Sequence, residues 1–207
     1  MSNPAPTKIS IPSALLPSDG RFGSGPSKIR DAQIDALVAA GKNILGTSHR
    51  QAPVKNLLGS VREQLHQLFS LPNDWEVVFG NGGASMFWDA ATFGLIDKRS
   101  EHLVFGEFSS KFADAARKAP HLQEPVVVDA APGTVAEVEL ANVDTYCFTH
   151  NETSTGATMP LVRPTTPQDA IVVVDATSAA GGMAWSTSEV DVYYFSPQKG
   201  FGSEGGT

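Results

Sequence analysis

Several absences bound this chain before any motif is read. No apolar run approaches the ~20 residues that a membrane span needs, and the opening Met1-Ser2-Asn3-Pro4-Ala5-Pro6 lacks a basic and then apolar leader. The expectation is a cytoplasmic chain with no membrane partner. Cysteine is almost missing: Cys147 stands alone in the apolar, strand-like run 143–148, where it reads as a small core residue rather than a thiol catalyst. The histidines, His49, His66, His102, His121 and His150, are scattered, and none stands at ligand spacing from another histidine or the cysteine, so no metal is expected. Basic charge is scarce, with a net charge of -7, and a nucleic acid or anionic membrane would ask for a basic face. No nucleic-acid partner is expected, and any anion site must be local. No internal repeat is evident.

The chain's 207 residues, 41% hydrophobic and 18% charged, suit a globular protein of one large domain, or one and a fraction. Its 14 prolines and 19 glycines gather between periodic segments, as loops at sheet ends do. Pro4, Pro6, Pro12 and Pro17 make residues 1–20 an extended arm, of the kind that covers a neighbouring subunit. Residues 21–27 form a glycine-containing loop, with Ser27 as N-cap of a helix over about 29–40 that Gly41 closes. Apolar residues from Val54 to Phe69 recur at helical spacing and stop before Pro72. Residues 76–79 read as a strand, then a loop 80–83 and a helix over about 84–96; strand 103–105, helix 109–118, and strands 126–128 and 145–149 follow. Ile171-Val172-Val173-Val174-Asp175 is a strand without alternation, as expected where helices cover both faces of a parallel sheet. A last strand, 190–195, stops at Ser196-Pro197. The alternation predicts an open α/β sheet, mostly parallel and flanked by helices, whose ligands bind at the carboxyl ends of the strands.

Five candidate groups fall at such ends. Gly82-Gly83-Ala84-Ser85, between a strand and a helix, forms a natural anion site, or simply a tight turn; its glycines do not make a nucleotide fingerprint. Phe108 is a ring platform or a core aromatic. Thr153, within 151–156, is a hydroxyl for a ligand or an ordinary turn residue. Asp175 is a buried carboxylate needing a partner, or a cap for 177–180. Lys199, beside Tyr194, Phe195 and Phe201, is a surface lysine or a desolvated amine fit to attack a carbonyl. Arg50, after His49, is a solvated arginine or a bidentate carboxylate ligand. An acid and a lysine one strand apart, with a glycine loop for a phosphate, suit pyridoxal 5'-phosphate, which has an aldehyde, a basic ring nitrogen and a phosphate.

Gly25-Pro26, Ser48-His49-Arg50, Gly82-Gly83, Asn151-Glu152-Thr153, Asp175 and Gln198-Lys199, in that order, resemble the phosphoserine aminotransferase family. These are homodimeric class V pyridoxal phosphate enzymes of serine biosynthesis with the aspartate aminotransferase type of fold, fold type I. The resemblance implies Lys199 as covalent anchor and catalytic residue and Asp175 as partner of the ring nitrogen. It puts Ala84 and Ser85 at the cofactor phosphate with Gln198 beside it, Thr153 on the cofactor and Phe108 over its ring. Arg50 then takes a substrate carboxylate, with His49 next to the phosphate-bearing substrate. It further implies L-glutamate and 3-phosphohydroxypyruvate as substrates, a second one on the route to pyridoxine, and an active site at the subunit interface. Many members carry tryptophan at Phe108 and arginine near Ala84, and all continue into a small C-terminal domain absent here. Residues 21–207 would then be part of the large, cofactor-binding domain. Three other readings stay open: an alanine–glyoxylate type of transaminase, a sulfur-removing lyase for which Cys147 is a poor catalyst, and a non-catalytic phosphate-ligand module.

Overall fold

The strand Ile171–Asp175 fixes the architecture, because a run of β-branched residues with no polar alternation needs cover on both sides. The protein is described from a computed structural model over residues 9–20, 23–165 and 169–207. A five-stranded sheet runs through β1 (Ser100–Val104), β2 (Val126–Asp129), β3 (Thr145–Thr149), β6 (Ile171–Asp175) and β7 (Val192–Tyr194). Their order is β2-β1-β3-β6-β7 and every pairing is parallel. A two-residue hairpin, β4 (Asn151–Glu152) against β5 (Ala157–Thr158), leaves the end of β3. Among the described residues four α-helices accompany the sheet: α1 (Asp31–Ile44), α2 (Ala52–Leu68), α3 (Gly83–Gly94) and α4 (Glu107–Lys118).

The period of two deals the strand residues onto two apolar layers. Leu103, Tyr146, Phe148, Val172 and Val174 pack on one face. Cys147, Val173 and Tyr194 pack on the other, against Trp88 and Ala91 of α3 and Phe112 of α4. Burial pushes the Cys147 thiol well above its ordinary pKa, in keeping with a core residue. The chain leaves β1 towards β2 on one side and later places β3 on the other, so the loops after β1 and β3 part company. In an open sheet that divergence opens a crevice at the carboxyl edge.

Several local expectations are corrected. Residues 76–79 form no strand, because no described segment pairs with them. Gly41 lies inside α1, where a Cβ would sit 3.2 Å from Leu45 Cδ1, and the left-handed glycine after the helix is Gly46 at φ 76°. The helix begins beyond Ser27: Gln33 Oε1 accepts from the Arg30 N–H at 3.0 Å, while the Ser27 hydroxyl donates to the Lys199 carbonyl. The last strand is Val192–Tyr194, shorter than 190–195. Of the arm, residues 1–8 lie outside the described residues, as do Arg21 and Phe22; residues 9–20 hold one short turn of 3-10 helix, Ser13–Leu15. Among the described residues, no helix is long and apolar enough to cross a membrane and no group of side chains is arranged to hold a metal ion.

His102 on β1 is 1% exposed, faces the Phe112 ring and lies 2.9 Å from the Ser100 hydroxyl through Nε2. Burial, with a smaller push from Arg117, lowers its pKa from 6.5 to about 3. The unfolded imidazole therefore takes a proton at a pH where the folded one refuses it. The stability this confers is complete above about pH 6.5 and is lost as pH falls towards 3, on the order of 5 kcal/mol in all. Urea midpoints of the intact protein should fall between pH 6.5 and pH 4, and His102→Gln should flatten that dependence. An unchanged slope in the variant would place the acid sensitivity in other groups.

Candidate functional site

The carboxyl ends of β1, β3, β6 and β7 meet in one cavity of about 330 Å³. Seven residues read from the sequence line it: Ala84, Ser85, Phe108, Thr153, Asp175, Gln198 and Lys199. His49 and Arg50 do not; both are exposed on the turn between α1 and α2, where the Arg50 N–H donates to the Ser48 hydroxyl at 3.3 Å.

The wall at α3 is backbone. Gly82 and Gly83 have φ of 92° and 67°, and a Cβ on Gly82 would stand 2.6 Å from Met86 Cβ, so a side chain is excluded by both conformation and space. The helix start has no side-chain cap, which leaves the first-turn N–H groups of Gly83, Ala84 and Ser85 free to receive an anion. Among the described residues three buried polar atoms have no partner: Ser196 Oγ, against Gly83, Gln198 Oε1, and Thr177 Oγ1 of the loop after β6. Orphaned polar atoms are costly unless a polar ligand reaches them.

Lys199 faces this wall from the loop after β7. Its ammonium donates to the Ser24 carbonyl, and its stem fills the space a Cβ on Gly25 would take, 2.6 Å from Cδ. The aromatic surroundings expected for it are only partly realised. Alternation on β7 sends Tyr194 into the layer beneath α3 and α4, and Phe195 stacks on Phe201 at 5.1 Å. The polar partner is instead a carbonyl 175 residues away in sequence.

Asp175, 5% exposed, serves as cap and cavity wall together. Oδ1 accepts from the Thr177 N–H at 2.9 Å and Oδ2 from the Tyr194 hydroxyl at 3.1 Å. The Tyr194 oxygen in turn accepts from Trp88 Nε1 at 2.9 Å. Burial raises the Asp175 pKa, and hydrogen bonds from Thr177, Tyr194 and Trp88 only partly offset it. A cation entering the cavity would relieve that buried charge.

Glu152 is a residue that the sequence reading passed over. Fully buried, its Oε2 accepts from the Ser109 N–H and hydroxyl at 2.9 Å each and from the Phe108 N–H at 3.1 Å; Oε1 accepts from the Ser154 hydroxyl at 2.8 Å. Burial works against its charge, but the bonds from Ser109 and Ser154 prevail and hold its pKa below the ordinary value. It thereby joins the ring-bearing turn of α4 to the loop carrying Thr153. Its signals in the sequence are its place in Asn151-Glu152-Thr153 and the glycine at Gly106, where any Cβ would come within 2.3 Å of Glu152 Cγ.

Comparison with known proteins gives four findings. The aminotransferase class-V family model matches residues 22–207. A phosphoserine aminotransferase of Nocardioides sp. is 58% identical over 201 residues, covering 96% of this chain and 54% of that protein. A solved phosphoserine aminotransferase from Cytophaga hutchinsonii superposes with a TM-score of 0.80 at 29% identity, over 88% of this chain and 52% of that one. A pyridoxal phosphate-bound phosphoserine aminotransferase from Trichomonas vaginalis shares the fold, with a TM-score of 0.76 at 22% identity over 89% of this chain and 58% of its own. The chain thus spans about half the length of the relatives it matches.

Removing Glu152 strands several buried donors at once. Glu152→Ala in the intact protein should cost about 3 kcal/mol in chemical denaturation, more than Ser154→Ala, which removes one hydroxyl. Equal costs for the two would refute the joining role.

Proposed function

The chain belongs to the aminotransferase class-V family, and from that premise we propose that the intact protein is a pyridoxal phosphate-dependent phosphoserine transaminase. It would move the amino group of L-glutamate to 3-phosphohydroxypyruvate, giving 2-oxoglutarate and O-phospho-L-serine for serine biosynthesis, with a related phosphorylated oxo acid on the route to pyridoxine as a second substrate. The observation that carries the reading is the convergence of Lys199, Asp175 and the uncapped α3 N-terminus on one cavity.

The residues present fit the cofactor. Its phosphate suits the α3 N–H groups and the unpartnered Ser196 and Gln198 atoms; its basic ring nitrogen suits the buried Asp175 carboxylate. When bound, pyridoxal phosphate supplies an aldehyde that condenses with amines and a ring that withdraws electrons from the substrate α-carbon. Lys199 Nζ, once released from the Ser24 carbonyl, would take the substrate's α-proton as a general base and, as a general acid, hand it on to a different carbon, which is what transfer of the amino group requires. Asp175 would hold negative charge for the ring nitrogen, Phe108 would supply a ring to stack on it, and Thr153 would offer a hydroxyl; all three line the cavity. His49 and Arg50 are the proposed ligands of the substrate's anionic groups.

We place the enzyme in the cytoplasm as a homodimer, with residues 1–20 an arm and 21–207 part of the large domain. Ile34, Leu37 and Val38 on α1 and Leu57, Leu58 and Val61 on α2 are 37–67% exposed, an apolar surface suited to a second subunit.

Borohydride added to the intact protein mixed with pyridoxal phosphate should fix the label to Lys199, as located by peptide mass; a label elsewhere, or none, overturns the reading and favours a non-catalytic phosphate site. Lys199→Ala should keep its fold and lose turnover by at least ~10³-fold. Glutamate with 3-phosphohydroxypyruvate should outpace alanine with glyoxylate, and the reverse would reassign the substrates.

A further inference from the structure

Asp175 accepts one hydrogen bond on each oxygen from the interior, from the Thr177 N–H and the Tyr194 hydroxyl. The Trp88 indole N–H can donate but never accept, and at 2.9 Å it takes a lone pair of the Tyr194 oxygen. The phenol proton must then turn the other way, and Asp175 Oδ2 lies there at 3.1 Å. The Thr177 backbone N–H, also donor-only, claims Oδ1 at 2.9 Å. A proton on either oxygen of Asp175 would oppose the donor already directed at it. The arrangement has little freedom to reverse. Trp88 is 8% and Tyr194 7% exposed, Phe87 stacks on the Tyr194 ring at 4.1 Å, and Phe112 meets it edge-on at 6.2 Å.

We infer that Trp88 and Tyr194 are positioning residues for the transamination site, a one-way hydrogen-bond relay that keeps Asp175 an acceptor towards the cavity. The inference rests on the reading that Asp175 faces the ring nitrogen of pyridoxal phosphate. Trp88 lies one turn beyond Ala84 and Ser85 on α3. One helix therefore addresses the ligand twice, at the phosphate through its N-terminus and at the ring through the relay. Tyr194 acts without touching the ligand, because its hydroxyl is spent on Asp175.

The test compares pyridoxal phosphate with its 1-deaza analogue, which replaces the ring nitrogen by carbon and keeps the aldehyde and phosphate. Dissociation constants are measured by equilibrium dialysis for the intact wild-type protein, Tyr194→Phe and Trp88→Phe. Wild type should prefer pyridoxal phosphate, and Tyr194→Phe should lower that preference about 10-fold, the effect of one hydrogen bond to a charged group, with affinity for the deaza analogue nearly unchanged. Trp88→Phe, which keeps the phenol but frees it to rotate, should lower the preference by a smaller factor; it carries the same comparison should Tyr194→Phe not fold. Equal weakening of both ligands would show a merely structural role and overturn the relay, as would an unchanged preference in the variants. A wild-type protein with no preference would overturn the Asp175 assignment itself, a failure distinct from the other two.

Discussion

A carboxylate at the end of a fully covered strand must be given hydrogen-bond donors, and the structure around Asp175 follows from that constraint. Covering both faces of β6 leaves Asp175 almost without solvent. Its oxygens draw in the Thr177 backbone from its own loop and Tyr194 from the neighbouring strand. Tyr194 draws in Trp88 from α3, whose first turn forms the anion-receiving wall of the cavity. Burial, sheet order and site geometry are thus consequences of one another: the apolar strand makes the carboxylate expensive, and the expense makes it useful to a cation.

Much of this was legible in the sequence wherever the signal is local. The β-branched run before Asp175 announces a covered parallel strand, the paired glycines before Ala84 announce a backbone wall, and both stand where expected. Seven of the nine candidate site residues line one cavity because parallel strands deliver their carboxyl ends to one edge. Boundaries misread from local signals have local remedies: Gly41 resembles a stop signal, yet it is small because Leu45 crowds it.

What stayed hidden is non-local. Which way Tyr194 points depends on the register of β7 against β6 and on where α3 packs, and neither is written in Val190–Phe195. Glu152 looks like a loop acid until the α4 N-terminus is brought over it. The stretch 76–79 has the composition of a strand, but a strand exists only when a neighbour pairs with it. His49 and Arg50 show the converse, motif residues whose surroundings on this chain are open solvent.

The lysine loop is fastened by the other end of the chain. The Ser27 N–H donates to the Gln198 carbonyl, the Ser27 hydroxyl to that of Lys199, Gln33 Nε2 to that of Gly202, and Lys199 itself to Ser24. These contacts span 169–175 residues, among the longest loops this chain can close. During synthesis residues 24–33 precede the lysine loop by about 170 residues and cannot hold it until β7 is made and laid against β6. The other four strands and their covering helices can form before then. The amine therefore acquires its setting only once β7 lies against β6, and a partly folded sheet, already bearing its anion wall, carries a lysine that is not yet aimed at anything.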